Sequence, residues 1–322
     1  MRILYWPKIQ LGRAVIAEQL GAVPGAELTV TETLPQLLAA LPGAAGVVLA
    51  DAPEAEARQV VEQLRAPGNT VRWLHFVSAG REGFEAAGLP PGIAVTYAAG
   101  AAAPAVAEHA MALLLALGRR IPVVLAQQAE RHWDRAAPGS RAWALEGKTL
   151  VIVGYGQIGQ EIAKRARPFG ARIVALSRSA RPDALVDEAL PLSQLHEALG
   201  RADAVMLSIA LTPETQHLIG RDALARLKPG TLLVNVARGG VIDQVALREA
   251  LHNGRLAGAG LDVVDPEPLP ATDPLWDSPN LILSPHFAGS GSPATVARLA
   301  GGAAENLRRF IAGQPLLHQV AG

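Results

Sequence analysis

Residues 148–179 read KTLVIVGYGQIGQEIAKRARPFGARIVALSRS. The order of apolar runs and glycines in this stretch decides the fold. The run Leu150-Val151-Ile152-Val153 predicts a buried strand. The turn Gly154-Tyr155-Gly156-Gln157-Ile158-Gly159 comes directly after it. Ile158, Ile162, Ala163, Ala166 and Phe169 then recur at helical spacing, and Gly170 stops the helix. A second apolar run, Ile173-Val174-Ala175-Leu176, completes a strand–turn–helix–strand unit with G-x-G-x-x-G at its first turn. In that setting the glycines mark a dinucleotide site. Gly154 permits the tight turn, Gly156 lets the backbone approach a pyrophosphate, and Gly159 lets the helix pack close on the strand. The free N–H groups of the helix start, from Gln157 and Ile158 onward, face the phosphates.

The end of the second strand bears on which dinucleotide binds. An acidic residue there bonds the ribose hydroxyls of NAD. Here the strand ends in Ser177-Arg178-Ser179, with Arg181 just beyond and no carboxylate in place. A guanidinium suits a 2′-phosphate through its charge and planar donor fork. The expectation is NADP(H) preference carried mainly by Arg178, with Ser177 or Ser179 as hydroxyl donor and NAD(H) use still possible.

Outside this unit, totals set limits. A chain of 322 residues, half of them apolar, has length and material for one large domain or two ordinary ones. Its 29 basic and 29 acidic residues balance, and the arginines are scattered, so no basic patch points to nucleic acid. The absence of cysteine excludes disulfides, thiolate metal sites and a cysteine nucleophile. Pro7 and Lys8 interrupt the N-terminal run, which argues against a signal peptide. The apolar run 111–117 is too short to span a bilayer. A cytoplasmic protein is expected, without membrane or nucleic-acid partners.

Strand and helix patterns alternate on both sides of the fingerprint. Ahead of it, strands are expected over 2–6, 28–30, 46–50, 73–77 and 93–96, with helices over 14–20, 34–41 and 55–64. The run AVAEHAMALLLAL over 105–117 predicts a helix apolar nearly all round, ended by Gly118-Arg119-Arg120. A polar arm over 127–146 carries Trp133 and Trp143. Beyond the fingerprint, strands are expected over 204–208, 231–236, 260–263 and 281–283. A helix over 244–253 is capped by Asp243, and a last helix covers 294–312. The fold class is therefore α/β, with parallel sheets covered by helices on their faces.

Ligands of such sheets bind beyond the carboxyl ends of the strands. Charged residues stand at those places: Arg238 in VARGGVID, Glu267 in LDVVDPEPLP and His286 in LSPHFAGS. Reduction of a 2-keto acid needs a cation for the carboxylate, a proton donor for the carbonyl oxygen and a group to orient that donor. Arginine, histidine and glutamate supply these roles. A metal pair formed by Glu267 and His286 is the competing reading, but no third ligand is evident and no metal is expected. His75, Glu108 and His109 read as packing or hinge groups. Arg119 and Arg120 read as a helix-end charge pair, and Asp265 and Asp273 as loop caps.

With these residues in view, nearly the whole chain resembles the D-isomer-specific 2-hydroxyacid dehydrogenase family. The resemblance is carried by VAEHAMALLLAL, VGYGQIG, LTPETQHLI, LKPGTLLVNVARGGVID, GAGLDVVDPEPLP and PLWDSPNLILSPHFAGS, in family order. It implies that Arg238 holds the substrate carboxylate and polarises the carbonyl, that His286 gives the proton, and that Glu267 accepts a hydrogen bond from the imidazole. The backbone of Val77, Ser78, Ala79 and Gly80 resembles the loop that receives the carboxylate. Asp262 resembles the residue near the nicotinamide amide, and Val106, Thr212 and Ala237 resemble other cofactor contacts. The resemblance also implies two Rossmann-like parallel-sheet domains. A discontinuous, flavodoxin-like substrate domain would comprise 1–100 plus 290–322. An NAD(P)-binding domain would comprise 101–289, with a dimer-forming arm over 105–146. Trp133 or Trp143 would then serve the partner subunit's active site.

These implications combine into an expected homodimeric reductase of glyoxylate or hydroxypyruvate, with D-2-hydroxy acids as products. Two readings stay open beside it: a reductase of larger, phenylpyruvate-type acids, and a dinucleotide-sensing protein without catalysis, like the family's corepressor members. The complete Arg238, Glu267 and His286 set argues against the second. The chain stops at Gly322, short of the regulatory extension of long phosphoglycerate dehydrogenases, which speaks against regulation of that kind.

Overall fold

Runs rich in valine, isoleucine and leucine form the strands of a computed structural model, described for residues 1–8, 12–78, 80–139 and 141–320. The chain divides into two compact units, Met1–Ala102 with Gly291–Gly322, and Ala103–Ser290.

In the first unit the strands are β1 (Arg2–Trp6), β2 (Glu27–Val30), β3 (Gly46–Leu49), β4 (Trp73–Phe76) and β5 (Ala94–Tyr97). They form one parallel sheet in the order β2-β1-β3-β4-β5, the flavodoxin-like order. β1, β3 and β4 are buried almost throughout, as expected where helices cover both faces. The helix Glu54–Arg65 shows how: Ala57, Val60, Val61 and Leu64 lie on one stripe and are buried, while its charges face out. On the opposite face the last helix, Pro293–Ile311, buries Leu299, Ala300, Ala303, Ala304 and Leu307 in one cluster with Ile3, Tyr5, Ile16 and Leu20. Each buried leucine or isoleucine of this cluster contributes roughly 1.5–3 kcal/mol.

His75 sits inside this sheet, fully buried, with Nδ1 2.8 Å from Thr96 Oγ1. Burial pushes its pKa down to about 3, so it is neutral and acts as a packing group.

In the second unit the strands are β6 (Thr149–Val153), β7 (Arg172–Ser177), β8 (Glu188–Pro191), β9 (Ala204–Leu207), β10 (Thr231–Asn235), β11 (Leu256–Leu261) and β12 (Leu281–Leu283). Their order is β12-β11-β10-β9-β6-β7-β8, parallel throughout. From β6 the chain first builds outward through β7 and β8, then crosses back to β9 on the other side. The crevice between β6 and β9 is therefore the topological switch point, where open α/β sheets bind ligands. One hydrogen-bonded row crosses nearly the whole sheet at its carboxyl edge: Leu176, Val153, Leu207, Asn235, Leu261 and Leu283. Ser177, Gly154, Ser208 and Asp262 each stand one residue beyond that row.

Several elements differ from the sequence expectation. β11 starts at Leu256 rather than 260, because LAGAG contains no β-branched or aromatic residue to signal a strand. The edge strand β8 is half-buried and partly polar, and carries no clear pattern. The arm is partly helical. Arg120 takes a left-handed backbone (φ 59°), and Pro122 in the first turn lets a new helix start over Ile121–Ala129. A short helix, Ala136–Gly139, comes after it. Glu108 is exposed, not a core group. Arg120 also does more than face a helix dipole, since its Nη1 donates to Asn280 Oδ1 at 2.9 Å. Asp243 and Asp273 do cap, their carboxylates accepting from Val245 and Ala246, and from Leu275.

Among the described residues no single helix is long and apolar enough to cross a membrane. The bent pair Ala103–Gly118 and Ile121–Ala129 passes that test only jointly. The first of the two buries Ala107, Ala110, Leu113 and Leu114 in the core of its own unit.

Candidate active site

At the switch point the glycines do distinct work. A Cβ on Gly159 would lie 2.3 Å from the Gly154 carbonyl oxygen, so only glycine lets the helix Gln157–Ala166 seat against β6. Gly154 combines φ 95° with the backbone of Ile209 only 2.6 Å from where a Cβ would sit. A Cβ on Gly156 would meet no protein atom within 4 Å, so the space it leaves open faces away from the chain. No side chain caps the helix that starts there, which leaves the N–H groups of its first turn, Gln157 and Ile158 among them, for an anion. An open cradle at an uncapped helix start fits a pyrophosphate. Ser208 completes the turn by donating to the Gly154 carbonyl at 2.7 Å. Its signal was a hydroxyl at the end of an apolar strand.

At the end of β7, Ser177 Oγ accepts from the Ala180 N–H at 3.1 Å, and Ala180 takes φ 46°. This tight turn uses the Ser177 hydroxyl internally and presents Arg178 and Ser179 on the exposed side. Among the described residues Arg178 has no ion-pair or hydrogen-bond partner, so its guanidinium is available to a ligand.

Arg238, Glu267 and His286 stand just past β10, β11 and β12, which are neighbours in the sheet. Arg238 is half-buried, with Nη1 donating to the Ala237 carbonyl at 2.7 Å. Asn235, fully buried at the end of β10, clamps this loop. Its Oδ1 accepts from Ala237 N at 2.9 Å and its Nδ2 donates to the Arg238 carbonyl at 2.9 Å. Sequence reasoning passed over Asn235, whose signal was a lone amide ending the apolar run TLLVN. Gly239 is obligatory beside it, since a Cβ there would lie 2.1 Å from the Val264 backbone. That close approach joins the Arg238 loop to the Glu267 loop.

Glu267 Oε2 lies 2.7 Å from His286 Nδ1, and its Oε1 accepts from the Val264 N–H at 3.1 Å. The hydrogen bond to Glu267 raises the His286 pKa above the ordinary imidazole value, against burial and the Arg238 charge, with the Glu267 and Asp262 charges helping. Burial pushes Glu267 up. The bond and charge of His286, the Val264 N–H and Arg238 outweigh it, leaving a lowered carboxyl. Arg238 thus acts electrostatically on both partners, which brings the arginine, glutamate and histidine of the sequence reading into one cluster. Such a set can bind a carboxylate, deliver a proton and hold the donor in its charged form. Among the described residues no group of three or more His, Asp or Glu side chains converges as a metal site.

The remaining candidates are placed less centrally. Ala237 is buried in the Arg238 loop, Val106 is half-buried on the helix Ala103–Gly118, and Thr212 is exposed in the turn after β9. Asp262 is almost completely buried, and its carboxylate accepts from Ser284 Oγ, Phe287 N and Ala288 N. It is directed into the His286 loop. In the other unit, Val77 already donates its N–H to Leu49 in the sheet at 2.8 Å, so it offers no free amide. Ser78 Oγ accepts from Asp51 N at 3.0 Å and donates to the Gly80 carbonyl at 2.8 Å, which commits its hydroxyl to shaping the loop. Ala79 lies outside the described residues.

A parallel sheet with a glycine cradle at its switch point defines the class: dinucleotide-binding α/β proteins of the Rossmann type. Comparison with known proteins is more specific. Residues 111–288 match the model of the D-isomer specific 2-hydroxyacid dehydrogenase, NAD binding domain. A glyoxylate reductase of Korarchaeum cryptofilum is 40% identical over 225 residues, covering 69% of this chain and 68% of the relative. A D-3-phosphoglycerate dehydrogenase of Mycobacterium bovis is 40% identical over 210 residues, 65% of this chain but 39% of that longer protein. The crystal structure of a D-isomer specific 2-hydroxyacid dehydrogenase family protein from Aeromonas salmonicida superposes with a TM-score of 0.84 at 29% identity, covering 99% of this chain and 98% of that one. The chain belongs to the D-isomer specific 2-hydroxyacid dehydrogenase family, an oxidoreductase family with a nicotinamide dinucleotide as cofactor.

Proposed function

We propose that this protein is an NADP(H)-preferring reductase of small 2-keto acids, forming D-2-hydroxy acids, with glyoxylate and hydroxypyruvate as first substrates. The observation that carries it is the His286–Glu267 bond of 2.7 Å, formed within the influence of Arg238 at the ends of adjoining strands. When bound, the reduced nicotinamide supplies the hydride. Arg238 holds the substrate carboxylate and polarises the neighbouring carbonyl through its charge. His286, kept protonated by Glu267, gives its proton to the carbonyl oxygen as negative charge develops there. Glu267 then stabilises the pair until the imidazole is reprotonated. The 2′-phosphate preference rests on Arg178 and Ser179, exposed where an acidic residue would favour NAD.

The molecule acts as a cytoplasmic homodimer in this reading. The helix Ile121–Ala129 buries none of its residues and exposes Ile121, Val124 and Leu125, an apolar face suited to a second copy. Trp143 packs on the core of its own unit, whereas Trp133 is 98% exposed, so Trp133 is the tryptophan available to the partner's site.

The test monitors NADPH oxidation with glyoxylate, hydroxypyruvate, pyruvate and phenylpyruvate, with NADH in parallel and His286→Ala as control. Turnover of a small keto acid with NADPH, lost in the control, is the expected result. Binding of NADPH without turnover of any acid overturns the enzymatic reading, and equal efficiency with both nucleotides overturns the preference.

A further inference from the structure

His286 carries a left-handed backbone conformation, uncommon for a non-glycine residue, with φ 50°. Asp262 imposes it. The His286 N–H donates to the Asp262 carbonyl at 2.8 Å. The next N–H groups donate to the Asp262 carboxylate, Phe287 to Oδ1 at 3.2 Å and Ala288 to Oδ2 at 3.1 Å. A buried carboxylate so placed needs its own orientation fixed. Ser284 Oγ does this by donating to Asp262 Oδ1 at 2.6 Å. With its proton used, the Ser284 oxygen accepts from His109 Nε2 at 2.9 Å. His109 arrives from a different element, the helix Ala103–Gly118, and its ring lies edge-on to Phe287 with centroids 4.8 Å apart. His109 Nε2 is also 3.5 Å from Asp262 Oδ1. Donation therefore runs from imidazole to hydroxyl to carboxylate, and the same carboxylate accepts from the N–H groups of the loop that carries the catalytic histidine.

We propose that His109 and Ser284 are positioning residues for the proton donor, holding the 286–288 backbone through Asp262 so that His286 meets Glu267. This rests on the reading of His286 as the proton donor. Neither residue touches the reacting atoms. They act on the distance and angle of the His286–Glu267 bond, and hence on the fraction of molecules in which the imidazole is charged and aimed.

The test compares Ser284→Ala, Ser284→Thr and His109→Phe in the full-length protein, the phenylalanine retaining the ring contact to Phe287. Removal of the hydroxyl lowers kcat for keto-acid reduction roughly tenfold, the order expected for a lost buried hydrogen bond. KM for the acid stays unchanged, and threonine restores kcat. NMR titration of the His286 ring, which faces Glu267, Arg238 and Asp262, gives an activity-independent readout: its midpoint falls toward the ordinary imidazole value in Ser284→Ala and in His109→Phe. A merely structural role would reduce the thermal midpoint and the folded fraction while leaving the titration midpoint in place, and that result overturns the proposal. Unchanged kcat and unchanged titration overturn it equally. If Ser284→Ala does not fold, His109→Phe decides by the same two readouts. If the unmodified protein reduces no keto acid, the catalytic reading fails, while the His286 titration still shows whether the relay positions the ring.

Discussion

At the scale of single residues, the His286–Glu267 pair makes the most direct predictions, because its partners shift in opposite directions. His286 is raised, so it stays protonated above the ordinary imidazole value of 6.5 and the reduction rate falls only as pH rises through the raised value. Glu267→Gln removes the leading cause of that shift, and the alkaline limb of the kcat/KM profile moves to lower pH. A limb that stays in place would separate Glu267 from the proton donor. The same shifts act on stability. The raised His286 stabilises the fold fully below its unfolded value and loses that contribution as pH rises through the folded one. The lowered Glu267 stabilises above its unfolded value and loses that contribution as pH falls through the folded one. Both are in force between the ordinary values of 4.5 and 6.5. Loss of the imidazole altogether, in His286→Ala, lowers kcat by roughly 100- to 10,000-fold, the range for a general acid. At the nucleotide, Arg178→Ala weakens NADPH by roughly 10- to 100-fold, the value of one charge-assisted hydrogen bond to a phosphate. NADH, without that phosphate, is little affected. Paired titrations of both nucleotides check this.

Among the elements, the glycine turn separates packing from binding. Gly159→Ala forces a Cβ to 2.3 Å from the Gly154 carbonyl, so the helix Gln157–Ala166 must move off β6. The expected cost is about 1–3 kcal/mol, seen as a lower thermal midpoint together with weaker cofactor binding. Gly156→Ala meets nothing in the chain, so the variant folds as before and loses affinity for the dinucleotide alone. Calorimetry of the two variants with and without NADPH distinguishes them. These glycines were legible in sequence because their spacing is local to one turn. Other elements were not. β11 lacks the residues that favour strands, and it is held between β10 and β12 by ladders from both sides. The helix Ile121–Ala129 restarts after a left-handed arginine, with no polar cap to announce it.

For the whole molecule, the apolar face of Ile121, Val124 and Leu125 predicts self-association. Leu125→Arg, at a position 57% exposed in the single chain, yields a monomer by sedimentation if that helix is the dimer surface, with the secondary structure unchanged. A dimer that persists would place the interface elsewhere. The sequence by itself determined the α/β class, the family and the dinucleotide cradle, and it pointed to Arg238, Glu267 and His286 as the candidate set. Each of these is written in short-range order: alternating apolar runs, glycine spacing, and charged residues just past strands. Only the tertiary structure decided which of these residues stand together. Strand order makes β10, β11 and β12 neighbours, although long stretches of chain separate their loops. It also brings His109 to Ser284, 175 positions away in sequence. A histidine inside an apolar helix reads as packing until the partner it bonds is known, because a hydrogen bond between distant residues leaves no periodicity in either. Val77 shows the same limit: its N–H donates to a neighbouring strand that the local sequence does not name.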